Sequence, residues 1–162
     1  MRRSSRVPVI TARFAAAGLA GYTRFGFFGS SSIFRLYGSV SVTSRPKPTF
    51  TGHVMQDSLL DDGDKKEVRV YGVVFEPGAR TFWHSHAAGQ TLLVSGGRGL
   101  VQTRDGDARV LGAGDVVWAP PGEVHWHGAA PDAFLSHTAV SLGLTSWEGE
   151  VDEGHYQAAF EE

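Results

Sequence analysis

The chain has 162 residues, enough for one domain with a full core and too few for two comfortable ones. It is 41% hydrophobic and 20% charged, as soluble globular chains are, and it has no cysteine. Disulfides and thiolate chemistry are therefore excluded, and any metal must be held by nitrogen and oxygen ligands.

A net charge of −2 conceals a division along the chain. Arg2, Arg3, Arg6, Arg13, Arg24, Arg35, Arg45 and Lys47 all precede the first acidic residue, Asp57. Seven of the 15 basic residues and all 17 acidic ones follow, so the rest of the chain carries a net −10. Residues 1–47 are read as a basic leader or disordered extension. Their Arg- and Ser-rich, acid-free composition fits an organellar transit peptide. A disordered or artefactual extension and a structured addition are the alternatives; a twin-arginine signal fits less directly, since Arg13 interrupts what would be the apolar stretch. The sequence leaves the location open between the cytoplasm and, if the leader is a transit peptide, an organelle. No run approaches the ~18 apolar residues of a membrane span, and a net −10 unit is a poor partner for nucleic acid.

"SRPKPT", Ser44 to Thr49, reads as a linker into a folded unit over 48–162. Short apolar runs then recur with turn residues between them, and the expected strands are Phe50–Met55, Val68–Phe75, Thr81–His86, Gln90–Ser95, Gly99–Arg104, Arg109–Leu111, Asp115–Ala119, Val124–His127 and Phe134–Leu142. Asp105-Gly106 is read as a type I′ hairpin turn, and Gly96-Gly97 as the end of a strand. Only Asp152–Phe160 suggests a helical turn or two. The fold class expected is all-β, a sandwich or barrel.

Residues two apart on a strand share a face. His84 and His86 in "WHSHAAGQ" therefore project together, as do His125 and His127 in "HWHG". Two strands carrying paired imidazoles can converge inside a barrel, and Gln90 can add an amide oxygen. Two such pairs framed by turn glycines make a metal site the better reading over hydrogen-bonded or exposed histidines. Tyr71, Val73 and Phe75 share one strand face, and Leu92 shares that of Gln90; these are candidate pocket residues, together with Ser141 and His137. Trp118 and Trp126 are expected to pack outside the pocket.

The spacing from Gly78 through His84, His86 and Gln90 to Gly97 resembles the first cupin motif, and that from Gly114 through Pro120 and Gly122 to His125 resembles the second. The resemblance covers about Phe50 to Glu162 and implies a single jelly-roll β-barrel. It also implies one divalent metal held by His84, His86, Gln90 and His125, with Gln90 standing where the usual pattern has Glu. "FEPGART", "WHSHAAGQTLLVSGG", "GDVVWAPPGEVHWHGAAP" and the histidine of "SHTAV" are similar to the small cupins that act as manganese-dependent hydroxynitrile lyases. That similarity implies a small-molecule substrate, cyanohydrin cleavage, and a homo-oligomer.

Three imidazoles and an amide are all neutral, so a divalent ion would keep its full charge. It would be held less tightly than with a glutamate, yet would polarise an oxygen more strongly. Mn²⁺ or Fe²⁺ is expected, with Zn²⁺, Co²⁺ and Ni²⁺ open because ligand type discriminates poorly. His127 shares the inward face but falls outside the ligand motif, which makes it the candidate catalytic base. A cupin dioxygenase would consume oxygen at the same ligands, and a non-catalytic cupin would bind a small ligand or metal without turnover.

Overall fold

The structure is a computed structural model that describes residues 49–161. The leader, residues 1–47, lies outside the described residues. Among the described residues, eleven strands and one α-helix follow one another as β1 (Phe50–Thr51), β2 (Val54–Asp61), β3 (Val68–Phe75), β4 (Arg80–Thr81), β5 (His84–His86), β6 (Gln90–Thr103), β7 (Ala108–Gly112), β8 (Val116–Ala119), β9 (His125–Ala129), β10 (Leu135–Leu142), β11 (Thr145–Trp147) and α1 (Glu153–Glu161), with a single 3-10 turn at Gly63–Lys65 between β2 and β3. The continuous path through the sheet runs β1-β4-β9-β6-β10-β3-β2, a nearly closed β-barrel of the jelly-roll kind, as expected. Among the described residues, no helix is long and apolar enough to cross a membrane.

Strand β6 is the hub of the barrel. Its first half pairs with β10 and β8, and its second half with β9 and β7. The sequence predicts a strand end at Gly96-Gly97, but the chain continues through them as strand. Gly97 lies at φ +79°, and a Cβ there would come within 1.9 Å of the Phe134 carbonyl oxygen. The residue bends β6 from one sheet into the other beside the register shift at Ser136/His137. A bend made by glycine differs from a break, because the ladder resumes at once on new partners.

Three other expectations are corrected. Phe50–Met55 is interrupted at Gly52 (φ +78°), after which β2 runs on to Asp61 as a polar, exposed edge. Thr81–His86 is two short strands, β4 and β5. At Asp105-Gly106 only the glycine has positive φ, and the Gly106 N–H donates to the Thr103 carbonyl. That is a type I turn closed by a left-handed glycine, the usual three-residue hairpin loop, instead of type I′. Strand β11 has no counterpart among the predicted strands. It is short and mostly exposed, and it pairs with β5 alone.

Alternation governs the interior. Along β10, Leu135, His137, Ala139 and Ser141 are buried while the residues between them are partly exposed. Phe75, Leu92, Val94, Val117 and Leu135 belong to the main apolar core. A second cluster of Trp83, Leu100, Trp126, Val151 and Tyr156 sits beneath α1, so Trp126 packs away from the cavity, as expected. Arg80, 3% exposed, ties α1 down. Its Nε and Nη2 donate to the Val151 carbonyl at 3.1 and 3.0 Å, and its guanidinium lies 4.4 Å from the Tyr156 ring centre. Tyr156 in turn donates to the Ala129 carbonyl at 2.7 Å.

Candidate metal centre

Strands β5 and β9 meet at the register pair His84↔His125, which brings the two His-x-His segments side by side. His84, His86, His125 and His127 are all buried, at 1–3% exposure. The ring centres of His84 and His125 are 4.4 Å apart, those of His84 and His86 5.2 Å, and those of His84 and His127 5.3 Å. One ring nitrogen from each of His84, His125 and His127 lies within 4.8 Å of the other two, a spacing compatible with one metal ion. Gln90, at the start of β6, reaches the same point: its Oε1 is 3.0 Å from His125 Nε2.

The outer hydrogen bonds decide which way the rings present their lone pairs. His84 Nδ1 lies 2.9 Å from the Phe82 carbonyl, and His125 Nδ1 lies 2.9 Å from the Glu123 carbonyl. Carbonyls only accept, so both Nδ1 atoms carry the proton and both Nε2 lone pairs are free. His86 Nδ1 faces the Thr145 hydroxyl at 3.1 Å, and its Nε2 is buried without a partner. His125 Nε2 and Gln90 Oε1 are then two acceptors facing each other at 3.0 Å. An orphaned buried nitrogen and an opposed acceptor pair are what a cation resolves, so the donor set fits a divalent metal.

Burial also keeps these rings neutral, as metal ligands must be. It holds His84 well below the ordinary histidine range, with the His125 ring adding to the effect, and it lowers His125 too. His86 is pushed down to about 3 by burial, then by His125 and Arg69. His127 is held well below its usual value by burial and next by His137, whose own value burial lowers to about 4.

The metal-free protein is consequently expected to be acid-labile. Between roughly pH 6.5 and pH 4 the unfolded chain protonates these imidazoles while the folded chain does not, so stability falls as pH falls. His137 alone would cost the fold about 3 kcal/mol at pH 4. Urea midpoints of chelated protein, measured from pH 7.5 to 4.5, should decline through this window. A flat profile would contradict the burial of neutral rings.

A cavity of about 190 Å³ opens onto the cluster. Of the residues anticipated from sequence, Tyr71, Val73, Phe75, His84, His86, Gln90, His127, His137 and Ser141 line it. Leu92 does not; it has the right face but sits deeper, in the apolar core. His125 is not part of the cavity wall, although its Nε2 faces Gln90 Oε1. Gln90 Nε2 donates to Ser141 Oγ at 3.0 Å, which fixes the amide, and His127 Nδ1 lies 3.3 Å from His137 Nε2. The wall also contains Arg69, Thr81, Thr145 and Trp147, which sequence reasoning does not single out. The parity that marks Tyr71 also marks Arg69, two residues earlier on β3.

Residues 72–136 match the cupin domain family. An (R)-mandelonitrile lyase from Granulicella tundricola is 42% identical over 124 residues, spanning 74% of this chain and 95% of that protein. The chain belongs to the cupin family. A solved cupin-like protein from Thermotoga maritima is 44% identical, with a TM-score of 0.69 over 80% of this chain and 97% of its own. A putative acetylacetone dioxygenase from Methylibium petroleiphilum, 14% identical, superposes with a TM-score of 0.59 over 82% of this chain and 99% of its own. The last is a likeness of fold alone. This cupin thus combines a three-histidine site with similarity to a mandelonitrile lyase.

Proposed function

We propose that this cupin is a metal-dependent hydroxynitrile lyase, cleaving a cyanohydrin to a carbonyl compound and hydrogen cyanide. The observation that carries the reading is the placement of a base beside a neutral ligand set. His127 lines the same cavity as His84, His86 and Gln90, and its Nδ1 is engaged by His137. A relative 42% identical and named as a mandelonitrile lyase adds support.

In this reading His84, His86, Gln90 and His125 hold the metal, Mn²⁺ or Fe²⁺ by the nitrogen and oxygen character of the donors. When bound there, a divalent ion would supply Lewis acidity toward the substrate oxygen. His127, neutral at working pH because it is buried, accepts the hydroxyl proton. The carbon–cyanide bond breaks with its electron pair leaving on cyanide, and the carbonyl forms. The His127 imidazolium then returns the proton to cyanide. His137 steadies the His127 ring through the Nδ1 contact, while Val73 and Phe75 give the organic part an apolar wall. Since a dry cavity of ~150 Å³ admits benzene, about 190 Å³ suits a single ring with a short polar substituent.

The test is cyanide release from racemic mandelonitrile at mildly acidic pH, with Mn²⁺-loaded and chelated protein side by side and the residual enantiomers resolved. Metal-dependent consumption of one enantiomer is the expected result. Equal rates in the two samples would sink the lyase reading.

A further inference from the structure

We infer that the cavity takes a substrate bearing a carboxylate, and that Arg69 is the group that binds it. The inference rests on the proposed function in one respect only, that the cavity over the histidines is where substrate binds.

Among the described residues, the cavity wall contains no aspartate or glutamate and one formally charged side chain, Arg69. Arg80, Arg98 and Arg104 each have a carboxylate partner, Glu153, Asp132 and Glu148. Arg69 forms no ion pair among the described residues. Its Nη2 donates to two neutral oxygens, the Gly143 carbonyl and Thr145 Oγ1, the latter at 3.0 Å. Its Nε is buried with no acceptor. A partly buried guanidinium gains most from a carboxylate, which accepts two parallel N–H bonds. Among the described residues none is supplied to Arg69; Arg109, which also lacks one, is exposed and donates to the Ala108 carbonyl.

The surroundings make the deficit larger. Three imidazoles and the Gln90 amide carry no negative charge, so a divalent ion held by them adds to the positive field that Arg69 already sets up. An anionic substrate is the one component that offsets both. Aldehydes and cyanohydrins without an acid group would leave Arg69 facing water at the mouth.

Register gives the distance such a substrate must bridge. Gln90, Ser141 and Arg69 are paired side by side on β6, β10 and β3. Two strand spacings put the Gln90 and Arg69 main chains about 10 Å apart, with both side chains directed into the barrel. The reacting oxygen and the carboxylate are thus separated by a short spacer of ring or chain. Along β3 the wall changes from Arg69 and Tyr71, partly exposed, to Val73 and Phe75, buried. The organic part goes deep and the acid group stays near the mouth. Thr145 Oγ1, shared between Arg69 Nη2 and His86 Nδ1, holds the guanidinium in place relative to the histidines.

The experiment titrates full-length, Mn²⁺-loaded protein calorimetrically with benzaldehyde and with 2-, 3- and 4-carboxybenzaldehyde. At least one carboxylated isomer is expected to bind tenfold or more tightly than benzaldehyde. In Arg69→Gln that preference should fall below twofold, and in Arg69→Lys it should be intermediate, because ammonium keeps the charge without the two-pronged geometry. Equal affinity of the wild-type protein for all four ligands would overturn the proposal without recourse to any variant. So would an anion preference that survives intact in a folded Arg69→Gln protein. If the wild-type preference appears but no cyanohydrin releases cyanide, the lyase reading falls and the carboxylate site stands. Cyanide release from mandelonitrile with equal affinities has the reverse meaning: the lyase reading stands and the carboxylate site falls.

Discussion

Replacing His84 by alanine is expected to strip the metal from the protein and to lower cyanide release by at least about 100-fold. Changes in the groups that merely orient metal ligands cost 10–100-fold in affinity or activity, so loss of a ligand itself should reach or exceed the top of that range. His84 is central to the cluster: its ring contacts those of His86, His125 and His127, and its Nδ1 is locked to the Phe82 carbonyl. The remaining set is neutral throughout, with no carboxylate to retain the ion by charge. Two readouts check the outcome. Metal content per chain should fall from about one to below a tenth after gel filtration, and the wild-type gain in melting temperature on adding Mn²⁺ should vanish. A site occupied at 100 times its dissociation constant stabilises the fold by about 2.7 kcal/mol, several degrees for a domain of this size. Retention of stoichiometric metal by a folded His84→Ala protein would remove His84 from the ligand set.

Much of this centre is legible in the residues because the chemistry and the strand period coincide. Paired imidazoles two apart share a face on any strand, and β5 and β9 are strands whose register sets His84 against His125. Period alone does not report depth or company. Leu92 has the face of Gln90 but lies in the apolar core with Val94 and Val117. Gly96-Gly97 has the signature of a chain break, yet the positive φ of Gly97 serves a bend within a continuous strand. Strand β2 beyond Met55 is hidden by its polarity, since an edge strand carries the residues that turns also favour. Strand β11 is too short for a periodic signal, although it brings Thr145 to His86. Arg69 is hidden for a different reason. What singles it out is a partly buried guanidinium in the cavity wall with no carboxylate partner among the described residues, and that becomes visible only when every neighbour has been placed.

His127→Ala is expected to lower kcat by about 10²–10⁴ while leaving one metal per chain, the loss appropriate to a general base. The spacing that groups His127 with His84 and His125 also allows it to be a metal ligand, and the two roles separate cleanly in this variant. A ligand takes the metal with it when removed; a base leaves the metal in place and removes only the proton acceptor. Its surroundings favour the base. The ring lies in the cavity wall, His137 engages Nδ1 at 3.3 Å, and Thr81 Oγ1 accepts the His127 backbone N–H at 3.1 Å. Burial holds the imidazole well below its ordinary range, so the acceptor form predominates at neutral pH, and kcat should show no rising limb centred on the ordinary histidine value. A group with an unshifted value near 6.5 would instead give such a limb. His127→Gln keeps a polar side chain without a basic nitrogen and should be as impaired as the alanine variant, again with metal bound. Loss of the metal in both variants would transfer His127 to the ligand set, and full turnover in either would leave the proton to another acceptor in the cavity.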